Sequence, residues 1–266
     1  MKSGFNTQRQ ISIQKIMKEV LLILLWMMVQ ATKLMAQTPD PIPVPDFPDE
    51  PPQDSVTLAK EVPDSLLGPN VLLFCGQKVN LDPMDRQLKL RRELGAFGRI
   101  SKSLRERAAY FFPLVEPILR QHGIPDDFKY LMVIESGMNP EARSGVGALG
   151  LWQFMRETAR EYGLRVDGRI DERLDIEKST HAACRYLKDA HRKFDDWVAV
   201  AQSYNIGQAR IAYELAHQKI SEALDLELVE ETNRYVYRIL AVKIIFTHPA
   251  NFGLKPLPSY YRRIRR

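Results

Sequence analysis

The sequence predicts a mainly α fold, and three observations carry that prediction. From about Asp85 onward apolar residues recur at helical rather than alternating spacing, no strand-rich stretch or internal repeat interrupts them, and the breaks between segments fall at residues suited to helix ends.

The first strong helix runs from about Leu104 to Gln121, where Ala108, Phe111, Phe112, Val115, Ile118 and Leu119 make one apolar stripe and Pro113 and Pro117 are candidate kinks. A second begins at Pro125, a residue suited to the first turn. Asp126 and Asp127 there favour the N-terminal end of the dipole, and Gly137 stops the helix after Ser136. Asn139 to Gly150 is dense in Gly, Ser and Ala and reads as irregular backbone. Helices resume at about Phe154 to Tyr162, closed by Gly163, and at Ile176 to Phe194, with Asp175 as N-cap. Ile176, Thr180, Ala183, Leu187, Ala190 and Phe194 mark the inner face of the latter. Trp197 to Tyr204, Gln208 to His217 and Glu230 to Phe246 complete the series.

The N-terminal part reads differently. Lys2, Arg9, Lys15 and Lys18 precede an apolar run from Val20 to Val29, with a small-residue cleavage position after Ala36, so residues 1–36 are expected to be an export signal. Leu34 is large for its place before the cleavage point, which leaves an uncleaved anchor as the alternative; the run itself is short for a bilayer span. No Cys follows it to carry a lipid. Residues 37–84 are expected to be a Pro/Asp-rich linker, and residues 85–266 a folded, mainly helical domain with an N-terminal helical extension. The chain is therefore expected to be exported, to the periplasm or cell envelope.

Most of the formal charge of +5 belongs to the leader. Five of the 38 Lys and Arg and one of the 33 Asp and Glu lie in residues 1–36, which leaves 33 basic against 32 acidic residues. A nucleic-acid partner, which needs a clustered basic face, is not indicated. The tail from Tyr260 to Arg266, with four arginines and two tyrosines, is either a contact for membrane or wall or a solvated end. Cys75 and Cys184 are too few for a disulfide scaffold, and a small buried side chain is the simplest role for Cys184. His122, His181, His191, His217 and His248 lack metal-ligand spacing, and no cofactor or metal is expected.

One residue stands out on physical grounds. Phe128, Leu131 and Glu135 fall at i, i+3 and i+7, which puts a carboxylate on the apolar face of a helix and at its C-terminal end. Desolvation and the negative end of the dipole both raise its pKa toward the range of a general acid; the other reading is a structural Glu paired with Arg.

The residues that follow favour the general acid through a resemblance. Ile134-Glu135-Ser136-Gly137-Met138-Asn139-Pro140, then Ser144-Gly145-Val146-Gly147-Ala148-Leu149-Gly150-Leu151-Trp152-Gln153-Phe154-Met155, resemble the catalytic segment of the soluble lytic transglycosylase (SLT) family. Asp171-Glu172-Arg173, Ser179-Thr180-His181-Ala182-Ala183, Ser203-Tyr204-Asn205-Ile206-Gly207 and Glu231-Thr232-Asn233-Arg234-Tyr235-Val236 match further, in the same order. The resemblance spans about residues 85–255 and is strongest to the subgroup of membrane-bound lytic murein transglycosylase D, here without its C-terminal LysM repeats.

This resemblance implies a lysozyme-like fold of the goose-type lysozyme/SLT kind. It implies cleavage of the β-1,4 bond between N-acetylmuramic acid (MurNAc) and N-acetylglucosamine (GlcNAc) in peptidoglycan glycan strands, ending in 1,6-anhydro-MurNAc. The matching acid/base is Glu135. Ser144, Gly147, Gln153, Met155, Tyr204, Asn205 and Glu231 carry over as substrate-binding positions, with Tyr204 and Asn205 facing Glu135 from another helix. Each has an ordinary alternative: Met155 and Tyr204 as core, Gln153 as a helix-end hydrogen-bond partner, Gly147 and Gly150 as turn glycines. Gln208-Ala209-Arg210 departs from the small residues usual in the family after Asn205. A hydrolytic muramidase, with Asp171, Glu172, Asp175 or Glu231 positioning water, and an inactive wall-binding module are the competing functions.

Overall fold

The computed structural model describes residues 70–98, 102–220 and 222–257. The export signal, the linker up to residue 69 and the basic tail from Tyr260 to Arg266 lie outside the described residues. Within them no helix is long and apolar enough to cross a membrane.

The fold is mainly α. A short hairpin, β1 (Val71–Phe74) and β2 (Gln77–Asn80), precedes α1 (Met84–Phe97), α2 (Lys102–Gln121), α3 (Leu131–Ser136), α4 (Arg156–Glu161), α5 (Ile176–Phe194), α6 (Trp197–Ile206), α7 (Gln208–Gln218) and α8 (Glu230–Thr247). The helix bounds follow the sequence pattern closely. Both Pro113 and Pro117 lie inside α2, which continues through them. The Asp175 side chain accepts from the Lys178 N–H as the N-cap of α5, and Gly137 closes α3 in the left-handed region, where a residue without Cβ is least strained.

Two expectations change. The hairpin falls inside the stretch read as linker to residue 84, so ordered chain starts earlier, by residue 70. Four-residue strands are too short for their alternation to register in a Pro-rich context, yet Phe74, Val79 and Leu81 are all buried. Long-range bonds stitch the hairpin down: the Cys75 N–H donates to Asp127 (2.7 Å), Lys243 reaches both the Leu73 carbonyl (2.5 Å) and Asp127 (2.7 Å), and the Trp197 N–H donates to the Gln77 side chain (2.9 Å). The helix expected from Pro125 instead opens as a 3-10 turn over Asp126–Tyr130 before α3.

One core joins these elements. Phe112, Phe128, Leu131, Met132, Trp152, Leu187 and Tyr235 are among its fully buried side chains, each removing roughly 1.5–3 kcal/mol of apolar surface from water. The helical extension α1 packs against α8 along Arg86, Leu90, Glu93, Leu94 and Phe97, a stripe at i, i+4, i+7, i+8 and i+11. Cys75 and Cys184 are both unpaired thiols; burial pushes the Cys184 pKa up to about 12, the behaviour of an inert packing residue.

Candidate active site

Helix α3 is six residues long and wholly buried, and Glu135 occupies its last turn with 2% of its surface exposed. The burial follows from sequence: Leu131, Met132, Val133 and Ile134 leave no polar face, so the carboxyl is carried into the core with them. Desolvation is the largest effect on this group and raises its pKa from 4.5 to about 7. The Tyr235 hydroxyl, which donates to Oε1, works against that rise by favouring the carboxylate; the charge of Glu231 adds to it, and that of Arg238 opposes it.

The Gly-rich segment lies beside this helix end. The Ser136 hydroxyl, adjacent to Glu135, is within 3.0 Å of both the Met132 and Leu151 carbonyls. Tyr204 on α6 donates its hydroxyl to the Trp152 carbonyl (2.9 Å), and the Trp152 indole N–H donates to Thr180 on α5 (2.9 Å). Three helices therefore clamp residues 151–152 within one bond of the acid's own turn. Arg173 braces the loop from beneath, donating to the Gly147 (2.9 Å) and Phe154 (3.0 Å) carbonyls while Asp171 receives the rest of its guanidinium. Gly150 sits at φ +85°, where an added Cβ would lie 2.2 Å from the Arg173 carbonyl oxygen.

The expected site residues divide into two groups. Tyr204 and Glu231 come within electrostatic reach of Glu135: the Glu135 charge raises the Tyr204 pKa further above the usual phenol range, beyond the larger effect of burial, and Glu231 raises that of Glu135. Asn205 is buried and accepts from the Thr232 hydroxyl (2.6 Å), which ties α6 to α8. The others shape the loop. Ser144 Oγ accepts from the Ala148 N–H (2.9 Å), Gly147 takes φ +95°, and Gln153, itself at φ +48°, donates to the Ala142 (3.0 Å) and Gly150 (2.8 Å) carbonyls. Met155 is half-buried at the N-cap of α4. Of the carboxylates considered for a water-activating role, Asp171 is committed to Arg173, Glu172 to Lys178 and Asp175 to its cap; Glu231 is the one whose charge acts on Glu135.

Two residues of the site were given no role from the sequence. Tyr235 stands four residues after Glu231 and Arg238 seven, positions that share one helical face, and that spacing was the available signal. Among the described residues no cluster of three or more metal-ligating side chains occurs.

A buried carboxyl that ionises near neutrality, oriented by a phenol and flanked by a Gly-rich loop, is a group able to deliver one proton and recover it. Residues 116–225 match the family described as the Transglycosylase SLT domain. Membrane-bound lytic murein transglycosylase D of Escherichia coli strain K12 is 32% identical over 146 residues, 53% of this chain and 32% of that protein. The chain thus spans about a third of the length of that relative. Peptidoglycan transglycosylase gp16 of Escherichia phage T7 is 43% identical over 79 residues, 29% of this chain and 6% of that protein. Among solved structures, the lytic transglycosylase Slt of Pseudomonas aeruginosa is 21% identical with a TM-score of 0.44, over 65% of this chain and 34% of that chain.

Proposed function

We propose that this chain is a lytic transglycosylase of peptidoglycan, acting in the cell envelope, with Glu135 as its single acid/base. The observation that carries the reading is a fully buried carboxyl with a pKa near 7, in a stretch that matches the SLT domain family. Protonated Glu135 gives its proton to the glycosidic oxygen as the bond from MurNAc C1 to GlcNAc O4 breaks. The resulting carboxylate takes a proton from the MurNAc 6-hydroxyl, whose oxygen bonds to C1. Glu135 ends protonated again, no water is consumed, and the product is a 1,6-anhydro-MurNAc end. The internal hydroxyl replaces the water or carboxylate nucleophile of ordinary glycosidases, so no second catalytic carboxylate is required.

The remaining residues support that cycle. Tyr235 holds the carboxyl in one rotamer and stabilises its ionised form in the second half of the reaction. The loop carrying Ser144, Gly147, Gln153 and Met155 lines the glycan on one side, with Tyr204, Asn205 and Glu231 on the other. The names of the relatives, a membrane-bound lytic murein transglycosylase and a phage peptidoglycan transglycosylase, support peptidoglycan as the substrate. A hydrolytic muramidase is the second reading, and the action of the Glu231 charge on Glu135 is the observation that favours it.

The test is mass spectrometry of soluble fragments released from peptidoglycan by residues 37–266 and by the Glu135→Gln variant. Fragments lighter by one water than hydrolysed muropeptides (about 18 mass units), made by the parent protein alone, support the transglycosylase. Hydrated ends carrying solvent oxygen would replace it with the muramidase. Wall binding without fragments would leave a binding module.

A further inference from the structure

Helix α1 lies outside the residues that match the family, yet it places a carboxylate in the heart of the domain. Glu93 is 1% exposed, and its two oxygens meet two arginines of α8: Oε1 accepts from Arg234 Nε (2.7 Å), and Oε2 faces Arg238 Nε (3.6 Å). Arg238 is itself 5% exposed, and its Nη1 has no hydrogen-bond partner among the described residues. A buried guanidinium left this open keeps its charge through nearby anions, and Glu93 is the first of them.

The face of α8 explains why this matters. Glu231, Arg234, Tyr235 and Arg238 stand at i, i+3, i+4 and i+7, so the helix that offers the Tyr235 hydroxyl to Glu135 offers Arg238 one turn further on. We propose that Glu93 is a positioning residue for Glu135: by holding and partly neutralising Arg238 it sets the positive charge felt by the buried acid. The helical extension thereby becomes a part of the site's electrostatics as well as a packing element.

The other charged and titratable groups around Glu135 are Tyr235 and Glu231 from α8, Tyr204 from α6, and Arg107 from α2, whose Nε donates to the Gly137 carbonyl at the end of α3 (2.9 Å). Glu93 pairs with Arg234 and Arg238, so a substitution there acts first on the arginine pair.

The effect has a sign. Arg238 favours the Glu135 carboxylate. Removing the Glu93 charge leaves Arg238 less compensated and lowers the Glu135 pKa; removing Arg238 raises it. The experiment is a ¹³C NMR titration of the Glu135 carboxyl in the parent, Glu93→Gln, Glu93→Asp and Arg238→Gln proteins, with each fold checked by circular dichroism. Glu93→Gln is expected to lower the midpoint by about half a unit or more, Arg238→Gln to raise it by a similar amount, and Glu93→Asp to restore the parental value. Shifts of the same sign in the two Gln variants, or an unmoved midpoint in a folded Glu93→Gln protein, would overturn the proposal. Should Glu93→Gln fail to fold, the rise in Arg238→Gln and its reversal in Arg238→Lys decide the matter; no rise would sink it. The consequence for rate rests on the catalytic reading of Glu135, whereas the titration does not. Opposite shifts in a parent protein that releases no glycan fragments would uphold the coupling and reject the activity.

Discussion

The Tyr235 hydroxyl donates to the Glu135 carboxylate across 100 residues of sequence, both groups buried. The bond stabilises the ionised acid while burial disfavours it, and the balance leaves the carboxyl titrating near pH 7. The proton is then held loosely enough to give and tightly enough to be present.

That balance predicts the pH dependence of the proposed activity. Only protonated Glu135 starts the cycle, so the rate is expected to fall as pH rises through about 7 and to be lost by roughly tenfold per unit above it. Release of soluble muropeptides across pH 5 to 9 in a constant-ionic-strength buffer checks this. A flat profile would remove Glu135 from the role.

Tyr235→Phe separates orientation from acidity. Without the hydroxyl the carboxylate loses a charge-assisted hydrogen bond worth about 1.5–3 kcal/mol, so the pKa should rise further and the alkaline limb should move upward. The turnover number should nevertheless fall by about tenfold or more, since the carboxyl is no longer held in one rotamer and its ionised form is less stable for the second proton transfer. Initial rates measured over the same pH range test both parts; a fall without the upward displacement would mean that Tyr235 acts by packing alone.

The contrast between Glu135 and Tyr235 also marks what the sequence could disclose. The burial of Glu135 was legible because an acid on an apolar face is carried into the core with it, and the helices around it were legible because their periodicity and caps are local too: Asp175 caps α5 as its position implied. Tyr235, Arg238 and Glu93 obey ordinary patterns within their own helices. Their importance arises when α8 is brought against α3 and α1 against α8, a relation that one sequence does not encode locally. The hairpin escaped for the opposite reason, being ordered by bonds to Asp127, Asp196 and Lys243 far along the chain. Ser144, Gly147 and Gln153 were read as substrate positions, and the bonds they make belong to their own loop, so their contacts to a glycan rest on the proposed function.

Gly150→Ala tests the loop's scaffold. At φ +85° an alanine is strained, and its Cβ would be 2.2 Å from the Arg173 carbonyl oxygen, a backbone atom that cannot swing away. A loss of about 2 kcal/mol or more is expected, read as a lowered melting temperature, together with a loss of activity that exceeds the loss of folded protein at 25 °C. A melting temperature unchanged from the parent would show that the Arg173 turn gives way easily.

Glu135→Gln makes a prediction about stability with a definite sign. The folded-state pKa of Glu135 lies above its unfolded value of 4.5, so the stability tied to its proton is fully present below pH 4.5 and is lost as pH rises through about 7. Glutamine is neutral at every pH and its amide oxygen can still accept from Tyr235. The variant should therefore melt like the parent at pH 4 and above it at pH 8, by an amount on the order of 3 kcal/mol set by the rise from 4.5 to about 7. Scanning calorimetry at the two pH values checks it. An acid retained at this cost, inactive when neutralised yet then more stable, is the mark of a group kept for chemistry; equal melting at both pH values would mean that the carboxylate is well solvated or fully paired, and the argument from burial would fail.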